Sequence, residues 1–175
     1  MSEVVFSTVH GSRLYGFAHE GSDHDVFVVT DSHSRRVKHT ITPDGIDTTE
    51  IGIWRFLQLA LSGSHQSVEA VFSPVKVWGP AGDRYRSLIA GIQVGGPEVF
   101  DKYERTIRKF CYGDYKKRRH AARLYVNLIQ LRRRSSITPA LDPELISFCD
   151  IVASTLSGDD LARELDVYKP KEASA

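Results

Sequence analysis

Two apolar runs, Val4 to Val9 and Val26 to Val29, bracket a short segment with Gly11-Ser12 near its start and Asp23-His24-Asp25 at its end. That spacing limits the fold more than any other feature of the chain. A strand over 3–9 ends at Gly-Ser, a short helical turn occupies 13–19, and a second strand over 24–30 follows two aspartates. Val26 to Val29 is apolar on both faces, which predicts a central strand. Side chains alternate along a strand, so Asp23 and Asp25 share a face, with Cα atoms about 6.5 Å apart.

Two carboxylates on one face at the mouth of a strand repel each other unless something positive lies between them. A hard cation such as Mg²⁺ takes oxygen ligands and answers that need. Gly11 lets the backbone approach a ligand closely, and N–H groups at the start of a short helix favour phosphate. Carboxylates beside a phosphate cradle point to phosphoryl or nucleotidyl transfer.

The string GSRLYGFAHEGSDHDVFVV, residues 11–29, resembles the signature of the polymerase-beta-like nucleotidyltransferase superfamily. It is most similar to the branch associated with RNA-repair ligases, in which Gly-Ser-Arg-x-Tyr-Gly runs into Ser-Asp-x-Asp. The likeness extends over about residues 3 to 74. It implies an α+β fold, with a small mixed sheet of the minimal nucleotidyltransferase core flanked by helices. It also implies that the chain transfers a nucleoside monophosphate from an NTP with release of pyrophosphate, using two Mg²⁺ (or Mn²⁺) ions on Asp23, Asp25 and a third carboxylate. Gly11, Ser12, Arg13 and Tyr15 are the implied nucleotide-binding residues. The third carboxylate is expected on the strand beside the first two. Asp47 is the natural candidate, because a helical pattern starts soon after it. Glu50 competes, and its alternative reading is a helix N-terminal acid that favours the dipole. Glu69 also has a counterpart in the branch, and its expected role is structural, pairing a basic side chain.

Further along, Val37 to Thr42 and Ile46 to Thr49 form an antiparallel pair turned at Pro43-Asp44-Gly45. A helix spans Ile53 to Leu61, and a second, capped by Ser64, ends near Pro74. Lys76 to Trp78 is an edge strand, and Gly79-Pro80 opens a helix to about Ala90. Gly95-Gly96-Pro97 is read as a hinge, dividing a catalytic core over 1–95 from a basic helical region over 96–168. A tail over 169–175 is expected to be disordered. Within the helical region, Glu98 to Tyr112, Tyr115 to Arg134 and a helix opened by Asp142-Pro143-Glu144 are expected, with a short one from Asp159 to Leu165.

Net charge is +1, but residues 102–134 hold twelve basic and two acidic side chains. A chain polarised this way has an anionic partner or a solvated helix face. Lys116, Lys117, Arg118, Arg119 and Arg123 ring the apolar stripe of the long helix and are the candidate acceptor-binding residues, with RNA or a tRNA end as the acceptor. Tyr112 and Tyr115 are available for stacking. Three other readings stay open: a toxin–antitoxin component of the same fold, an enzyme that nucleotidylates proteins or small molecules, and an inactive RNA-binding module. Cys111 and Cys149 lie far apart and read as buried apolar residues, neither a zinc pair nor a disulfide. No run approaches the roughly 20 apolar residues that span a membrane. No secretory signal is visible, so the expected setting is the cytoplasm.

Overall fold

A computed structural model describes residues 2–167. The expected tail over 169–175 lies outside them. Five strands form one mixed sheet: β1 (Val4–Val9), β2 (His24–Thr30), β3 (Val37–Ile41), β4 (Ile46–Gly52) and β5 (Val77–Trp78), in the order β3-β4-β2-β1-β5. The apolar run after the aspartates is therefore the middle strand, as its two-sided hydrophobicity requires. Its lower half is buried at Phe27, Val29 and Thr30, while Val26 and Val28 are half-buried. β1 runs antiparallel to β2, and β4 runs parallel to it. The chain passes from β2 to the edge, turns at Gly45 and returns between β2 and β3, which brings two strand openings together at one end of the sheet.

Helix α1 (Gly11–Tyr15) is a single turn closed by Gly16, whose φ of 89° suits a left-handed stop. Helices α2 (Ile53–Leu61), α3 (His65–Phe72) and α4 (Gly82–Ala90) accompany the sheet. β4 continues to Gly52, so Glu50 belongs to a strand and not to the first turn of α2, contrary to its helix-dipole reading. Ser64 does precede α3, but its side chain makes no cap bond; its carbonyl accepts from Val68 N–H.

Beyond the Gly-Gly-Pro stretch lie α5 (Pro97–Cys111), α6 (Tyr115–Arg134), α7 (Pro143–Thr155) and α8 (Gly158–Glu164). Asp142 caps α7 through Leu145 N–H, with Pro143 at the first position. Gly113-Asp114 separates α5 from α6, and the Asp114 carboxylate caps the new helix through Lys117 N–H at 2.9 Å. One core packs Phe6, Val29, Ile51, Ile53 and Phe56 beneath the sheet. The other packs Tyr103, Ile107, Leu124, Leu128 and Leu131 between helices. α3 serves both, with Val68 in the helical core and Ala70 and Val71 in the sheet core. Cys111 and Cys149 are free and buried, and burial pushes their thiols up to about 11 and about 12. Among the described residues no helix is long and apolar enough to cross a membrane.

Candidate active site

The register of the parallel pair sets Asp25 directly opposite Asp47. Neighbouring strands lie about 4.8 Å apart, so the two half-buried carboxylates stand side by side at the strand openings. Alternation puts Phe27 and Thr49 on their face, while Glu50, opposite Val28, takes the other face. Glu50 lines a separate cavity with Arg36 and Lys38. Asp47 is thus the acid that shares the Asp25 face. Its Oδ1 is buried without a hydrogen-bond partner, and among the described residues no Lys or Arg makes an ion pair with either Asp25 or Asp47.

Gly11 is tied to this pair in two ways. Its φ of 61° lies in the left-handed region. A Cβ built on it would run into the Asp25 carboxylate, so a larger residue would have to push that side chain aside. His10 N–H donates to the Asp25 carbonyl at 2.8 Å, which fixes the turn against β2. Ser12 lines the cavity shared by Asp25 and Asp47, not that of Glu50.

Asp23 stands one residue before β2, with its side chain 78 % exposed and its Oδ2 4.0 Å from Lys116 Nζ. It is not gathered with Asp25 and Asp47 here. Arg13 donates to the carbonyls of Ser22 and Asp23, at 3.0 and 3.2 Å, and so braces the loop that carries Asp23.

The carboxylates open into a cavity of about 670 Å³. The start of α6 also lines it, with Lys116, Lys117 and Arg119. Arg119 lies over the rings of Phe17 and Tyr115 and pairs with Asp150 at 3.4 Å. Arg118 is directed elsewhere, to the carbonyls of Ala153 and Gly113. Tyr112 and Tyr115 bond to Asp159 and Asp150.

Arg123 corrects the sequence expectation most. It is 1 % exposed and does not ring the helix surface. It pairs with Glu69, which is fully buried, and lies over the Tyr15 ring at 3.6 Å. Tyr15 also donates to Glu69, and Asn127 Nδ2 donates to it at 3.4 Å. Burial alone would raise the Glu69 carboxyl, but the charge of Arg123, with His10, His65 and the Tyr15 bond, outweighs it and holds the carboxyl at about 2. The structural role expected of Glu69 is therefore met, with Arg123 as its cation. Tyr15 forms the floor of the cavity and ties α1 to α3 and α6.

Sequence reasoning missed His10, His65 and His120, which surround this pair. Burial lowers all three, His120 to about 2 with help from the Arg123 charge. His120, Arg123 and Asn127 recur at helical spacing on α6, and that periodicity was the available signal.

Among known protein families, residues 1–166 match RlaP, the RNA repair pathway DNA polymerase beta family. The chain belongs to that family. No curated protein matches it. As a member of the RNA repair pathway DNA polymerase beta family it is a polymerase-beta-like nucleotidyltransferase in an RNA repair context. A divalent cation is the cofactor such a family implies, and the residues present can be tested for it. Asp25 and Asp47 fit: they are hard oxygen donors, adjacent, unpaired with any cation among the described residues, and one oxygen is buried without a partner. Asp23 fits only with its side chain turned inward, since among the described residues no three acidic, imidazole or thiol groups are already gathered around a point.

Proposed function

We propose that the chain is a metal-dependent nucleotidyltransferase that moves a nucleoside monophosphate from an NTP to a hydroxyl on RNA, including a tRNA end. The observation that carries this reading is the unpaired Asp25–Asp47 couple in a cavity that the start of α6 lines with basic side chains. In this reading Asp25 and Asp47 hold Mg²⁺ or Mn²⁺, with Asp23 joining them from its loop. A divalent ion bound there supplies charge for the leaving pyrophosphate and acidifies the acceptor hydroxyl.

The chain's own residues do the rest. Gly11, with no side chain, leaves the turn open to phosphate oxygens, and the Ser12 hydroxyl stands beside it. Lys116 and Lys117, in the lining of the same cavity, offer ammonium groups to the same phosphates. Tyr15 and Arg123 hold the floor, so that the Gly11–Tyr15 turn keeps its distance from α6. Arg13 acts through the loop: by binding two of its carbonyls it keeps Asp23 at the mouth. RNA is the acceptor favoured by the family's RNA repair context and by the positive charge of residues 102–134.

The test is incubation with each α-³²P-labelled NTP, Mg²⁺ or Mn²⁺, and a mixture of total RNA, tRNA and cell protein, beside Asp25→Asn and Asp47→Asn. Label passing to RNA with one NTP, and lost in both variants, is the expected result. Label passing to protein would transfer the reaction to another acceptor class. No transfer with salt-sensitive RNA binding would replace the enzyme with a binding module.

A further inference from the structure

The cavity lining holds two kinds of residue. Asp25, Asp47, Lys116 and Lys117 are charged. His65 and Gln66 at the start of α3, Phe110 at the end of α5, and His120 on α6 supply rings and an amide. Phe110 meets His120 edge-on, with ring centroids 4.8 Å apart, and His65 meets the same imidazole at 5.3 Å. Three rings thus stand together on one wall, and each is half-buried.

Glu69 is neutralised by Arg123. Burial, helped by the Arg123 guanidinium, disfavours the protonated form of both imidazoles. Arg123 Nη2 lies 2.8 Å from His120 Nδ1 and 3.5 Å from Nε2, and a guanidinium can only donate, so it holds the ring by its nitrogen edge. Gln66 adds an exposed amide, which donates and accepts and has no protein partner among the described residues. A triphosphate gains nothing from an uncharged ring-lined wall. A flat aromatic heterocycle with hydrogen-bonding edges gains both stacking and polar contacts there.

We propose that this part of the cavity lining is the nucleobase subsite for the donor NTP, with Phe110 and the His65–His120 pair as its apolar wall and the Gln66 amide as the group that reads the edge of the base. The inference rests on the nucleotidyltransferase reading of the cavity. It assigns donor choice to α3 and α5, outside the Gly-Ser and Asp-x-Asp segment.

The experiment measures binding to the full chain by calorimetry, in Mg²⁺, of each of the four NTPs and of inorganic tripolyphosphate. It uses the wild type, Phe110→Leu and Gln66→Ala. The wild type is expected to bind at least one NTP more tightly than tripolyphosphate. Phe110→Leu keeps an apolar side chain but loses the ring; it is expected to weaken that NTP about tenfold and leave tripolyphosphate unchanged. Gln66→Ala is an exposed change that leaves the packing intact, and it is expected to alter the order of preference among the four NTPs. Equal loss of NTP and tripolyphosphate in Phe110→Leu, unchanged binding in both variants, or a wild type that binds no NTP more tightly than tripolyphosphate would overturn the subsite. Unchanged NTP binding with a raised KM for RNA would give the rings to the acceptor and overturn it too. The transfer assay keeps the two readings apart: selective NTP binding without any transfer sinks the enzyme and spares the subsite, whereas transfer that both variants leave unaltered does the reverse.

Discussion

The molecule has acids in two settings. Glu69 is fully buried and has its own cation, Arg123, with Tyr15 and Asn127 also bonded to it. Asp25 and Asp47 are half-buried, adjacent, and make no ion pair among the described residues. A carboxylate removed from water and left without a counter-charge is costly. Where the fold alone needs the acid, the fold supplies the counter-charge. Where it does not, the missing charge is left to something that arrives. The difference separates a structural carboxylate from two that fit a ligand-bound ion.

The sharpest break of that contrast is to neutralise one member on each side. Asp25→Asn is expected to cut nucleotidyl transfer about ten-thousandfold, the rate equivalent of roughly 5.5 kcal/mol, with Asp47→Asn close behind. Thermal melting should show both variants as stable as the wild type or slightly more so, because like-charge repulsion is relieved. A drop in melting temperature matching the activity loss would mean that these acids hold the fold together.

Arg123→Ala should invert the pattern. It strands a buried carboxylate, which costs about 3–5 kcal/mol of stability. Glu69→Leu combined with Arg123→Met removes both charges and is expected to recover most of that loss. Urea unfolding of the two single variants and the double one gives the coupling directly. If the double variant is as unstable as Arg123→Ala, the pair is not what holds α3 against α6.

The imidazoles around the pair add a pH dependence of defined sign. Burial lowers His10, His65 and His120 from an ordinary value near 6.5. Below that pH the unfolded chain takes up protons that the folded chain refuses, so stability falls as pH falls. Each histidine contributes up to about 1.4 kcal/mol per pH unit. Glu69, held at about 2, acts in the same direction in a lower window. Its contribution is complete above about 4.5 and is lost as pH falls toward 2. Unfolding free energies at pH 7.5, 6.5 and 5.5 should therefore decline steadily, and His120→Gln should flatten the slope by one proton. A flat profile would show that these rings are open to water.

Most of the sheet could be read from the chain because its signals are local. Val26 to Val29 has the pattern of a middle strand, and Pro43-Asp44-Gly45 has the chemistry of a turn. The choice between Asp47 and Glu50 followed from one long-range fact, the parallel register with β2, and the three extra residues of β4 made Glu50 a strand residue on the far face. Arg123 was the opposite case. It sits in a run of basic residues, where composition favours a solvated surface, and its partner lies 54 residues upstream. No local pattern joins them. Arg13 also has contacts that no local pattern announced: it donates to the loop carbonyls of Ser22 and Asp23.

Lys116 offers the finest test of the contrast, because it pairs with Asp23 in water beside the Asp25–Asp47 couple. Both side chains are about four-fifths exposed, at 82 % and 78 %, and the atoms stand 4.0 Å apart. An exposed pair of this kind adds little to stability and is weakened by salt. Lys116→Ala should therefore leave the melting temperature unchanged. If the ammonium turns from Asp23 to an incoming triphosphate, the same variant should bind tripolyphosphate up to about fivefold more weakly at low salt, in keeping with one exposed ionic contact. That deficit should shrink toward nothing at about 1 M salt, where screening acts within roughly 3 Å. A deficit that survives high salt would place Lys116 in a desolvated contact. No deficit at any salt would leave Lys117, its neighbour on the same wall, as the amine that meets the phosphates.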